Sequence, residues 1–244
     1  MQEPSTTPAP RKTITVVMPA LNEEGNIQGA MDAVASAVEG LFEDYELIVI
    51  NDGSTDRTPA IVEENRARNP KIRMISHPSP QGFGASYNSG RLAASMTYCV
   101  MVQGDSPFTK EELRAFLAHT GEADVVCGYI ANPAFRSQQR QDISRRYTTL
   151  MNFLFRMNMK YFNGPQIHRT DWLKQLVLRN SGYGFQAEVL IKAIKGGKSY
   201  VEIPIRYTER PGGGESKVFK LKNIVSVAKT LVTLWLWNLF RRRP

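Results

Sequence analysis

The sequence predicts an α/β protein: a mostly parallel sheet with helices on both faces. Two observations carry this. Short β-branched runs alternate with helix-length patterns through the first two-thirds of the chain. Those runs are also continuously apolar rather than alternating, as strands buried on both faces require.

In order, ITVVM (Ile14–Met18) reads as the first strand and Ile27–Val38 as a helix. ELIVI (Glu46–Ile50) is the second strand, followed by a helix over Asp56–Arg68 with Pro59 in its first turn. IRMIS is the third strand, and Phe83–Ala94 a helix of small residues suited to close packing on a sheet. YCVMV (Tyr98–Val102), a helix over Thr109–His119 and the strand ADVVC complete the repeating part. From Arg136 to Lys160, arginines interleave with Leu150, Phe153, Leu154 and Phe155, the pattern of an amphipathic helical region with a basic face. Gly184–Ile194 reads as a helix, Ser199–Tyr207 as a strand, and RPGGGESK as a Gly-rich loop.

At 244 residues the chain suits one large domain with appendages. Residues 1–12 are expected to be a disordered Pro/Ser/Thr-rich leader without the apolar core of a signal peptide. Residues 13–215 form the main domain, and 216–244 a basic, apolar helical segment associated with a membrane. The net charge of +8 is concentrated at the end: from Lys192 onward, twelve lysines and arginines face three glutamates. That block beside an apolar stretch points to anionic lipid or a phosphate-bearing substrate. No zinc module, helix-turn-helix or aromatic-basic RNA signature accompanies it, so nucleic acid is excluded as a partner. Ile224–Phe240, with Trp235, Trp237 and the Arg241–Arg243 terminus, has the makings of a helix lying at a membrane surface. The alternatives are a helix spanning the bilayer, for which 17 residues is the short limit, and a helix docked on the protein itself or on a second copy, as in a homo-oligomer. Cys99 and Cys127 lie in strand-like runs and read as buried thiols.

In open parallel sheets ligands bind beyond the carboxyl ends of the strands, so four loops matter. The first, PALNEEGN, lacks the glycine-rich turn of a dinucleotide site. Its acids repel phosphate and suit a base or ribose; equally, Asn22 could cap the next helix with Glu23 and Glu24 in its first turn. In NDGSTDRT, Asp52 can accept from the N–H edge of a nucleobase, while Asp56 or Ser54 can cap the following helix. The glycines of QGFGA, Gly82 and Gly84, let backbone approach a ligand closely. In VQGDSP, Asp105 can coordinate a divalent cation against a diphosphate.

Together, PALNEE, NDGSTD, QGFGA and the GD after the fourth strand resemble the family 2 glycosyltransferases, whose fold is GT-A. GFQAEVLIKAIKGGKSYVEIPIRYTERPGGGESK resembles the polyprenyl-phosphate glycosyltransferases within it. The resemblance runs from about Ile14 to Asn223. It implies an inverting transfer from a GDP- or UDP-sugar donor to a polyprenyl phosphate or another membrane lipid, at the cytoplasmic face of a membrane, in cell-envelope glycan or glycolipid synthesis.

By that resemblance, Pro19, Ala20, Asn22, Glu23, Asp52, Gly82, Gln103 and Gly104 contact the nucleotide. Asp105 holds magnesium or manganese. The family's Asp-x-Asp reads Gln103-Gly104-Asp105 here, leaving one acid, so a metal-independent variant leaning on Arg210 and Lys217 is the alternative. Glu188 lies near the reacting groups and is the candidate base for a hydroxyl acceptor. Arg145, Arg146 and Ser216 fall on the acceptor side, and Arg210 with Lys217 on a loop closing over the diphosphate. The family's Gly-Ser-Arg turn reads Gly128-Tyr129-Ile130, and its Asp-rich loop reads Asn163-Gly164. Two rivals remain: a degenerate nucleotide-sugar-binding protein and a non-enzymatic membrane-surface adaptor.

Overall fold

The apolar runs become strands, and their pairing fixes where the loops gather. β1 (Thr13–Ala20), β2 (Asp44–Asn51), β3 (Ile72–Ser76), β4 (Tyr98–Met101), β5 (Val125–Ile130), β6 (Gln166–Arg169) and β7 (Tyr200–Ile205) form one sheet of order β3-β2-β1-β4-β6-β5-β7. This computed structural model describes residues 12–105, 108–180, 182, 184–208 and 221–240, the backbone alone for 221–229. The leader, apart from Lys12, and the boundary expected at 215/216 lie outside the described residues.

Pairing is parallel between β1 and β2, β2 and β3, β1 and β4, and β5 and β7. β6 is antiparallel to both β4 and β5. A strand that opposes both neighbours leaves them pointing the same way. Six strands therefore share one carboxyl edge, and the segment entering β6 arrives at that same edge.

Helices cover both faces, as expected. Along β1 the side chains alternate: Ile14, Val16 and Met18 pack with α1 (Ile27–Val38), α2 (Thr58–Arg68) and α4 (Lys110–Ala118), while Val17 faces the other layer. That second layer holds α3 (Phe83–Ala93), α5 (Gln138–Phe155), α6 (Thr170–Gln175), α7 (Phe185–Lys195) and α8 (Leu221–Phe240). Cys99 and Cys127 are free and buried within it, and burial pushes the Cys99 thiol up to about 12.

Several boundaries differ from the sequence reading. Nothing in the apolar pattern marks β6 or α6. The fifth strand runs over Val125–Ile130 rather than ADVVC, and α2 starts at Thr58 rather than Asp56. The basic helical region divides into a 3₁₀ turn at Pro133–Phe135 and α5, which ends where Arg156 turns left-handed at φ 49°. Arg136 and Arg156 thus flank that helix instead of lying on its face.

The small-residue helix α3 does pack closely. A Cβ placed on Gly90 would lie 2.2 Å from Cγ1 of Val17, a β-branched side chain buried in β1. Val17 has little rotamer freedom with which to yield. Gly90→Ala is therefore expected to destabilise the fold by about 1–3 kcal/mol, overpacking outweighing the better helix propensity of Ala. Denaturant unfolding of Gly90→Ala with and without Val17→Ala checks this. The two losses should be less than additive, because the second substitution frees the space; simple additivity would place the cost elsewhere.

Candidate active site

The four loops meet at the carboxyl edge and are hydrogen-bonded into one shelf. The Asp52 N–H donates to the Ala20 carbonyl at 2.9 Å, and Gly104 N–H to the Pro19 carbonyl at 3.2 Å. Asn22 sits in the left-handed region (φ 57°), where Asn is tolerated. Its N–H donates to Ser54 Oγ (3.1 Å), and its Oδ1 accepts from Thr55 N–H (2.9 Å). Glu23 N–H donates to Thr58 Oγ1, and Glu24 N–H to Asp56 Oδ2. The capping alternative is thereby corrected. Helix α1 begins at Ile27, with no acid in its first turn, and Asn22 ties the first loop to the second. The N-cap of α2 is Arg57, without a side-chain cap bond; Asp56, the residue before it, accepts from Thr58 N–H at its Oδ1 at 3.0 Å.

Asp52 lies where the sequence placed it, at the end of β2, but only 4% exposed. Its Oδ1 accepts from His77 Nδ1 (2.7 Å) and Gln81 N–H (2.9 Å), and its Oδ2 from Gly82 N–H (2.9 Å). His77 Nε2 in turn meets Ser89 Oγ at 2.9 Å. Any base contact by Asp52 would share a carboxylate that already joins the second loop to the third, and the Gly82 N–H is turned to Asp52. Burial pushes the Asp52 carboxyl upward, but the His77 and backbone donors outweigh it and hold it below the usual aspartate range. Gly53 (φ 76°) permits this closeness: a Cβ there would lie 2.8 Å from the backbone of Ser79 and Pro80. The sequence reading missed His77; the available signal was a lone histidine next to a Pro- and Gly-rich edge loop.

Pro19, Ala20 and Gly104 are buried, while Gln103 and Asp105 are half-buried. Gly104 packs on Ile27 and Ala20, seating the fourth loop against the first. Among the described residues no group of three His, Cys, Asp or Glu side chains could hold a metal. Asp52, Glu24 and Asp56 accept hydrogen bonds that hold the shelf together. The donor set at the fourth loop is one carboxylate and one amide. Arg210, Ser216 and Lys217 lie outside the described residues.

On the acceptor side, Glu188 departs from its expected part. It is 2% exposed, accepts from the N–H groups of Arg179 and Asn180, and pairs with Lys192 at 2.5 Å. Buried among these donors, it anchors the segment entering α7 and does not face an open cleft as a base would. Arg145 is exposed and paired with Asp142 one turn away on α5, and Arg146 is exposed beside it. Phe185, first in α7, packs on Phe83 and Tyr87 at the start of α3, tying α7 to the third loop. Helix α8 lies on this layer. Leu234 is buried, Thr230 touches Gly184, and Trp237 lies over Lys192.

A parallel sheet whose first four loops form one acid-bearing shelf, followed by an antiparallel strand and a further parallel one, is a GT-A-like α/β arrangement. The chain belongs to glycosyl transferase family 2, which residues 15–179 match. It is 28% identical over 225 residues to the polyprenol monophosphomannose synthase of Mycolicibacterium smegmatis, covering 87% of this chain and 83% of that one. It is 26% identical to the undecaprenyl-phosphate mannosyltransferase of Micrococcus luteus, covering 91% and 93%. The crystal structure of glucosyl-3-phosphoglycerate synthase from Mycobacterium tuberculosis with Mn2+, uridine diphosphate and phosphoglyceric acid shares the fold. Its TM-score is 0.69 at 21% identity, over 96% of this chain and 80% of that one.

Asp52→Asn is expected to lower stability at neutral pH by about 2 kcal/mol or more, since the new amide sets N–H groups against each other. Because the folded carboxyl is held below its unfolded value, this stability is present above the ordinary aspartate range and lost as pH falls through the depressed value. The gap between wild type and Asp52→Asn in urea unfolding should thus narrow with acidification. A gap independent of pH would contradict the assignment.

Proposed function

We propose that this enzyme moves a hexosyl group from a GDP- or UDP-sugar to a polyprenyl phosphate at a membrane surface. Family membership makes it a glycosyltransferase. Its relatives include a polyprenol monophosphomannose synthase, an undecaprenyl-phosphate mannosyltransferase and a dolichyl-phosphate hexose transferase. The observation that carries the lipid half of the reading is the outward face of α8: Val232, Trp235, Leu236, Leu239 and Phe240 are all exposed. Ile143, Leu150 and Phe153 on α5 are exposed as well. Contiguous exposed apolar surface marks an interaction site. No helix among the described residues is long and apolar enough to cross a membrane. The face suits a helix lying in the interface, its inner side docked on the protein.

The chemistry is a single inverting displacement. A phosphate oxygen of the acceptor attacks C1 of the sugar. The bond from C1 to the nucleoside diphosphate breaks, and its electron pair stays on the departing diphosphate. The second pKa of a phosphate monoester is about 6, so the nucleophile is already ionised and no base is needed. That agrees with Glu188 being occupied in the fold. The nucleotide is taken by the shelf of Pro19, Ala20, Asn22, Glu23, Asp52 and Gly82, with Gln103 and Gly104 beside the diphosphate. A magnesium or manganese ion, when bound, offsets the charge of the leaving group. One carboxylate, Asp105, with the Gln103 amide, fits an ion whose other ligands are diphosphate and water. Arg210 and Lys217, in the segment that follows β7 in the sequence, supply positive charge, with Ser216 and the α5 arginines on the acceptor side.

Incubating the protein with GDP- and UDP-hexoses and a polyprenyl phosphate in anionic vesicles, with Mg2+, Mn2+ or EDTA, tests the proposal. One donor should yield a phosphate-linked glycolipid. Asp105→Asn should lower the rate by about 100-fold or more, and Leu236→Glu with Leu239→Glu should release the protein from vesicles. Donor binding without transfer would instead identify a degenerate sugar-nucleotide binder.

A further inference from the structure

Arg136, just past β5, carries a guanidinium that aromatic rings hold in place and that no carboxylate among the described residues neutralises. Its backbone is fixed: the N–H donates to the Pro133 carbonyl at 3.0 Å, and its own carbonyl accepts from Gln141 Nε2 at 2.9 Å. The guanidinium carbon lies 5.2 Å from the ring centre of Phe135 and 5.3 Å from that of Tyr207. Tyr207 is itself fixed by a reciprocal pair in which Asn132 Nδ2 donates to its carbonyl and Asn132 Oδ1 accepts its N–H, both at 2.9 Å. The one side-chain hydrogen bond of Arg136 among the described residues is a long one, Nη1 to Tyr161 Oη at 3.3 Å. A guanidinium offers five N–H donors in a rigid fork. Most of that fork is unspent, and no carboxylate among the described residues pairs with it.

The location gives this meaning. β5 and β7 run parallel, so the loops carrying Arg136 and Tyr207 leave the sheet at the carboxyl edge shared with β1 to β4. The segment carrying Tyr161 enters β6 from that edge. Tyr207 also packs on Phe108 at 4.9 Å, and Phe108 lies three residues past Asp105 in the fourth loop. A second cation stands at the same corner: Lys160 Nζ lies 4.3 Å from the ring centre of Tyr129, the fifth residue of β5. The carboxylate there, Glu202, accepts the Lys160 backbone N–H at 2.7 Å. Aromatic faces position a cation without neutralising it, and a fork held in advance loses little entropy on meeting an oxyanion.

From this geometry we infer that Arg136 is a phosphate-binding residue of the active-site edge, with Phe135, Tyr161 and Tyr207 as its cradle and Lys160 beside it. The inference rests on the proposed transfer reaction, and two phosphates in that reaction share the chemistry: the acceptor monoester and the donor diphosphate.

Calorimetric titration of the whole chain separates them, with a short-chain prenyl monophosphate in one arm and GDP and UDP in the other. Arg136→Gln should weaken one arm by roughly 10- to 100-fold, the worth of charge-assisted hydrogen bonds. The thermal midpoint should stay within about 2 °C of wild type. Loss in the prenyl phosphate arm assigns Arg136 to the acceptor; loss in the nucleotide arm assigns it to the donor. Unchanged affinity in both arms, with the fold intact, overturns the inference. Should wild type bind neither ligand, the transfer reading fails instead. If Arg136→Gln does not fold, Arg136→Lys replaces it. It keeps the charge but loses the planar fork and should show a smaller loss in the same arm; wild-type affinity in both arms would overturn the inference.

Discussion

The structure turns on one buried carboxylate. Asp52 is almost out of contact with water and answers three donors at once: the His77 ring, the Gln81 amide and the Gly82 amide. An anion in that setting is costly unless its hydrogen bonds are met, so the third loop must come to the second. Gly53 and Gly82, at positive φ, supply the backbone bends that bring it there. The Asp52 N–H holds the first loop, whose Pro19 carbonyl holds the fourth. A chain of bonds from a single residue thus turns four separate loops into one surface.

This use of acids shapes what the surface can do. Asp52, Glu24 and Asp56 accept hydrogen bonds from the backbone of the shelf itself, and Glu188 braces the segment before α7. The fourth loop contributes a single carboxylate. In the proposed transfer, countercharge for a diphosphate and a phosphate acceptor would fall to cations, which lie late in the chain. Arg136 and Lys160 lie against aromatic rings at that edge, and the basic segment RPGGGESK follows β7 in the sequence. On the second face, α8 lies over α7, one side buried at Leu234 and the other presented outward as an apolar stripe. In the proposed reading, that division lets one helix both complete the fold and meet a lipid surface.

Much of the fold was legible because buried strands are written as largely apolar runs: β1, β2, β4 and β5 have one, and β3 and β7 have one broken by Arg73 and Glu202. β6 does not. Its four residues, QIHR, include a histidine so desolvated that its pKa falls to about 3, with Gln166 as its partner. Its burial comes from antiparallel neighbours far away in sequence. The acids and glycines of the four loops were legible as a set, but their division of labour was not. Whether Asn22 caps a helix or bridges loops depends on where α1 begins, and Gly25-Asn26 delays that start. For Glu188 the clue was present in the sequence, since Lys192 follows four residues later on a mostly apolar helix. Arg136 was hidden because Tyr161 and Tyr207 come from distant segments.

Hydrogen exchange at the Gln81 and Gly82 amides, followed by NMR on the free protein, tests the preformed shelf most directly. Both amides should exchange orders of magnitude more slowly than an open loop, approaching the protection of the neighbouring strands, and Asp52→Asn should abolish that protection. Exchange at the rate of unstructured peptide in the free protein, with protection appearing only when nucleotide is added, would mean that the ligand builds the surface.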